Sequence, residues 1–171
     1  MNDLSDPWAS LASRAMRVAL ARHDVTYASL SESLVKDGVS AGQGAIVSRI
    51  SRGTVHLSLF LRVISMTGDD TPKRWIDALR APASWEARAS AVMKAELARQ
   101  PTESSSDIVG RLERMGAPVS LRTFDSRVRS GDSSLAFFLQ LLYVLNADSA
   151  GRYVAFESLM HAAQSGSAQR R

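Results

Sequence analysis

The chain has no cysteine among its 171 residues. That absence excludes structural disulfides, Cys-ligated zinc, iron–sulfur clusters and Cys nucleophiles together, and it suits a reducing cytoplasm. No apolar run approaches the roughly 18 residues a membrane span needs, so no contact with a membrane is expected. The opening "MNDLSDPWAS" lacks both a basic n-region and an apolar h-region, so no secretory signal is expected and the cytoplasm is the expected location. No stretch alternates polar and apolar residues as a strand does. No Ser–His–Asp set, carboxylate pair or Gly-rich phosphate loop stands at usable spacing, so the expectation is a protein that is not an enzyme. His23, His56 and His161 are scattered, which suggests no metal site, and no cofactor is expected.

What is present is a hydrophobic content of 45%, enough for a folded core. The net charge of +4 points only weakly to nucleic acid, so the placement of charge matters more than its sum.

The dominant signal is an internal repeat. "WASLASRAMRVALAR" (Trp8 to Arg22) lies on "WEARASAVMKAELAR" (Trp85 to Arg99) without a gap at an offset of 77. One extra residue enters near "PTESSS", and from Leu34 over Leu112 the offset is 78. Gly38 then meets Gly116, Ser48-Arg49 meets Ser126-Arg127, Gly53 meets Gly131, and Phe60-Leu61 meets Phe138-Leu139. Further on, Trp75 meets Tyr153 and Ile76 meets Val154. Two copies are too few for a solenoid, so two duplicated small domains are expected, residues 1–84 and 85–171.

Each unit reads as five short helices. In the first, Trp8, Leu11, Ala12, Ala15, Met16, Ala19 and Leu20 form one apolar stripe. Asp6 or Ser5 can cap it, and Pro7 suits a first helical position. Trp85, Ala89, Val92, Met93 and Leu97 repeat the stripe behind Ser84. The second helix starts at Thr26, buries Leu30 and Leu34 and ends at Gly38; Ile108, Leu112 and Met115 match it and lead to Gly116. The third covers Gln43 to Arg52 with Ile46 and Ile50 inward, matched by Phe124 and Val128, and Gly53 and Gly131 are expected as left-handed C-terminal caps. The fourth buries Leu57, Phe60, Leu61 and Ile64, matched by Leu135, Phe138, Leu139 and Leu142. The fifth is expected from Thr71-Pro72 and from Ser149. "TPKRWIDALRAPAS" reads as a short docked helix, not a flexible tether. "AQSGSAQRR" reads as a loose tail. The three tryptophans, with Phe60 and Phe138, are expected in the core.

The series "VTYASLSESLVKDGVS", "IVSRISRG" and "LSLFLRVISMTG" resembles the lambda-repressor-like (Xre-type) helix-turn-helix family. The shared features are a Thr-capped second helix, a Gly-Val-Ser turn, a third helix ending in Ser-Arg-Ile-x-x-Gly, and a Leu-rich fourth helix. The turn "GVSAGQGA" is longer than the usual one. The chain also resembles a bacterial domain family of unknown function with a leading Trp helix and an Arg-Gly…Phe-Leu segment. The first resemblance implies an all-α fold of two tandem five-helix lambda-repressor-like helix-turn-helix domains. It implies that the third helix of each unit enters the major groove of duplex DNA. By position, the readers of the first unit are Gln43, Gly44, Ala45, Val47, Ser48 and Arg49. Gln43 can pair with adenine, and Arg49 with guanine or phosphate. Ser40, Arg52, Thr54 and His56 flank that helix as phosphate contacts. The second unit offers Ser120, Arg122, Thr123, Asp125, Ser126, Arg127 and Arg129.

Charge placement agrees in the first unit. From Gly38 to Gly68 it contains Arg49, Arg52 and Arg62 and no acid. The second unit adds Asp125 and Asp132 to its basic stretch. The expected function is therefore a DNA-binding transcriptional regulator with two recognition helices in one chain, a covalent pseudo-dimer that could also homodimerise. The rival expectation is a protein-interaction module, such as an antitoxin or an RNA polymerase adaptor.

Overall fold

The computed structural model describes residues 6–66 and 71–168, and within them the protein consists of ten α-helices and one 3-10 turn. The first repeat contributes α1 (Pro7–Arg22), α2 (Tyr27–Lys36), α3 (Gln43–Arg52), α4 (Leu57–Ser65), the 3-10 turn Lys73–Trp75 and α5 (Ile76–Arg80). The second contributes α6 (Trp85–Leu97), α7 (Ser105–Arg114), α8 (Leu121–Ser130), α9 (Leu135–Val144) and α10 (Phe156–Ala168). Ser5 and Gly68 lie outside the described residues. No described helix is long and apolar enough to cross a membrane.

Local chemistry sets the helix ends. The Asp6 carboxylate accepts the Trp8 N–H at 3.0 Å, with Pro7 at the first position of α1. Thr26 and Ser29 form a reciprocal capping box on α2, and Ser104 with Asp107 forms another on α7. Ser84 caps α6 through the Ala87 N–H. Gly53 and Gly131 close α3 and α8 at φ of 68° and 72°. Both also lie where no side chain fits: a Cβ on Gly53 would stand 1.9 Å from the Ala9 carbonyl oxygen, and one on Gly131 would stand 1.8 Å from that of Glu86. Ala9 and Glu86 are themselves equivalent positions, so the repeat in sequence is a repeat in three dimensions.

The two repeats share one continuous core. The first helix of each packs on the third helix of its own repeat, and on the fourth and fifth helices of the other: α1 on α3, α9 and α10; α6 on α8, α4 and α5. A pseudo-two-fold axis relates the halves. At the axis the turns after α3 and α8 pair, the Leu57 N–H donating to the Ser133 carbonyl at 2.8 Å and the Leu135 N–H to the Val55 carbonyl at 2.9 Å. Around it, Trp75 meets Phe138 at 5.6 Å and the equivalent Tyr153 meets Phe60 at 5.2 Å. The Trp75 indole N–H donates to the buried Glu96 carboxylate at 2.6 Å, while the Tyr153 hydroxyl lies 2.9 Å from His23 Nε2.

Three expectations change. The fifth helix of the second repeat begins at Phe156, not Ser149, because Ala150, Tyr153 and Val154 are buried within the turns that precede it. The tail is helical through Ala168, since Leu159, Ala162 and Ala163 bury one face of α10 as it packs on α1 and α9. Trp85 is half-buried rather than core, although its counterpart Trp8 is 4% exposed.

Candidate nucleic-acid interface

The α3 surface is built from the turn that precedes it. Ala41 is buried, and the Ser31 hydroxyl donates to its carbonyl at 3.0 Å, which pins the long turn against α2. Ile46 and Ile50 then fix the rotation of α3 by filling the core at 2% and 0% exposure. That rotation leaves Gln43, Gly44, Ala45, Arg49 and Arg52 exposed, with Val47 and Ser48 half-buried at the edges of the face. Ser40 is exposed just before the helix, and Thr54 and His56 are exposed just after it. Neither Arg49 nor Arg52 has a carboxylate partner among the described residues. Gly44 has open space on its solvent side.

Tertiary structure alters the charge picture drawn from the chain. Arg62 does not belong to the basic face. Its side chain is 7% exposed and is held by the Asp37 carboxylate and the Ser33 carbonyl, so α4 uses it to clamp α2. The stretch without acids is also not without acids in space. Glu32 of α2 borders the same depression as Gln43, and Asp132 of the second repeat reaches His56 Nδ1 at 3.2 Å.

The α8 surface differs. Ser120 caps the helix, accepting the Thr123 N–H at 3.1 Å and donating to the Thr123 hydroxyl, so both are tied to the helix start. Arg122, Ser126 and Arg129 are exposed, and Asp125 is half-buried. Arg127 is half-buried, with its guanidinium 4.7 Å from the centre of the Phe137 ring. Its counterpart Arg49 is exposed and lines one groove with Leu59, which stands where the second repeat has Phe137.

Between the repeats, beside Arg49, lies a groove of about 800 Å³. Its floor includes Ile46, Val55 and Leu59 from the first repeat, and its far wall is Trp85 of α6. The guanidinium of Arg88 sits 4.3 Å from the Trp85 ring centre and that of Arg62 sits 5.3 Å from it. The residue series did not single out Leu59 or Arg88, and it placed Trp85 in the core. The mismatches Leu59 against Phe137 and Arg88 against Leu11 in the aligned repeats are the signal that could have found them.

Residues 8–71 and 85–150 each match the model of one protein family, described as a domain of unknown function (DUF6471). No curated protein and no solved structure matches the chain. The two matched segments cover more than half of the chain and coincide with the two repeats. The protein therefore belongs to the DUF6471 family and carries that domain twice.

Proposed function

We propose that the protein binds duplex DNA in a sequence-specific manner and regulates transcription, with α3 and α8 as paired recognition helices of a lambda-repressor-like fold. The observation that carries this reading is the α3 face. It presents Gln43, Arg49 and Arg52 to solvent, and the two arginines have no counter-ion among the described residues. Unpartnered arginines beside an exposed Gln are the groups that hold phosphates and read base edges. The shared core supports a two-part site, because it fixes α3 relative to α8 within one chain. The two heads are unequal: Arg49 is available in one, while Arg127 lies against Phe137 in the other. The reading therefore favours an asymmetric operator in the cytoplasm, without catalysis, metal or cofactor.

A second reading, a protein-interaction module such as an antitoxin or RNA polymerase adaptor, draws on α8, where Asp125 stands among the arginines. A salt series on genomic fragments, including the protein's own promoter, separates the two. DNA binding weakens steeply as salt rises, in proportion to the phosphates neutralised. Binding that is absent, or flat with salt, eliminates the regulator. Within the first reading, Arg49→Ala lowers affinity more than Arg17→Ala, an exposed control on α1, with both variants folded. Equal effects would remove α3 as the reader.

A further inference from the structure

We infer that the groove between the repeats is a binding site for a small aromatic molecule, seated against Leu59 with its ring under the Arg49 guanidinium. This inference does not depend on the nucleic-acid reading. The internal symmetry of the chain points to it. At the equivalent place in the second repeat, the protein supplies the ring itself: Phe137 is 4% exposed, meets Phe124 edge-to-face at 6.1 Å and is covered by Arg127 at 4.7 Å. In the first repeat the cation and an apolar support are kept, with Arg49 in the place of Arg127 and Ile46 in the place of Phe124. The ring beneath the cation is missing, because Leu59 replaces Phe137.

The consequence is visible in the shape. The first repeat has an open groove of about 800 Å³ at this place, inside the roughly 300–1,000 Å³ range of small-molecule sites. A third side chain favours an aromatic guest. Trp85 is the only tryptophan of the three that is not buried, and it lines the groove wall. Two neighbouring cations already have partners, Arg62 in Asp37 and Arg88 in the Trp85 ring, and His56 Nδ1 lies 3.2 Å from Asp132, while Arg49 lacks a carboxylate partner among the described residues. An exposed guanidinium beside an open apolar surface suits a π face, which attracts the cation without the desolvation cost of a second charge.

The test uses the full chain and two probes of equal size, phenol and cyclohexanol, followed by NMR of the Leu59 methyls and the Trp85 indole. Phenol should bind saturably at one site, and more tightly than cyclohexanol by about fivefold, as one cation–π contact provides. Leu59→Phe places the missing ring in the groove and should abolish phenol binding. Phe137→Leu opens the equivalent place in the second repeat and should raise the stoichiometry from one to two. Phenol binding that survives Leu59→Phe, shifts that spread over the surface without saturating, or equal affinity for the two probes would overturn the inference. Should Phe137→Leu unfold, the Leu59→Phe result and the probe comparison decide it alone.

Discussion

At the residue scale, the glycines show how one residue type serves opposite needs. Gly53 has positive φ and an Ala9 backbone oxygen where its Cβ would be, so two independent costs act on any substitution. Gly53→Ala is expected to destabilise by more than about 2 kcal/mol, with Gly131→Ala close behind it, as read by chemical denaturation. Gly44 is the reverse. It is helical and exposed with open space around it, so Gly44→Ala is expected to stabilise by about 0.5–1 kcal/mol through helix propensity. The same added methyl stands on the proposed reading face, so DNA affinity should fall while stability rises. A parallel change in both would separate Gly44 from the interface. The capping role of Gly53 was legible in the sequence because it closes an apolar-patterned helix and recurs at Gly131. The Ala9 contact was not, since it joins residues from two different helices.

At the element scale, capping is local and was largely legible, whereas helix length was less so. Ser104 accepts the Asp107 N–H while Asp107 accepts from Ser104, and those bonds hold the Asp107 carboxyl below its ordinary value of 3.8. A carboxylate with a lowered folded pKa gives stability that is present above its ordinary value and lost as pH falls through the folded one. Ser104→Ala is expected to cost about 1 kcal/mol at neutral pH and to flatten the acid limb of the unfolding profile. An unchanged acid limb would show that the capping box carries no linkage. The extent of α10 escaped the sequence reading for a different reason. "AQSGSA" is small and polar, and intrinsic propensity alone gives it no helix. The helix persists because Leu159, Ala162 and Ala163 are buried against elements far away in the chain.

At the scale of the whole molecule, the repeats fold as one object. Each first helix needs the fourth and fifth helices of the other repeat, so neither half can bury α1 or α6 alone. Calorimetry is expected to give a single transition with equal calorimetric and van't Hoff enthalpies. Two resolved transitions would show separable domains. The clamp between halves also titrates. Burial raises the Tyr153 phenol above the ordinary tyrosine value of 10.0, while Arg22 and Arg152 oppose that rise. The unfolded chain ionises first, so the stability due to this group is complete below pH 10.0 and is lost as pH climbs through the folded value. Tyr153→Phe should lower neutral-pH stability by about 1 kcal/mol, through the lost His23 bond, and should make the alkaline decline shallower. A decline of unchanged steepness would assign it to other groups.

The sequence by itself determined the helices, their caps and their duplication, because these depend on spacing and on residues within a few positions of one another. Only the tertiary structure decided which half each helix serves. It paired Arg62 with Asp37, set Arg127 on Phe137 and left Arg49 exposed beside a groove. Those outcomes depend on the path of the chain between the repeats. Two copies of one pattern, once packed across each other, meet different neighbours, and equivalent residues acquire different chemistry.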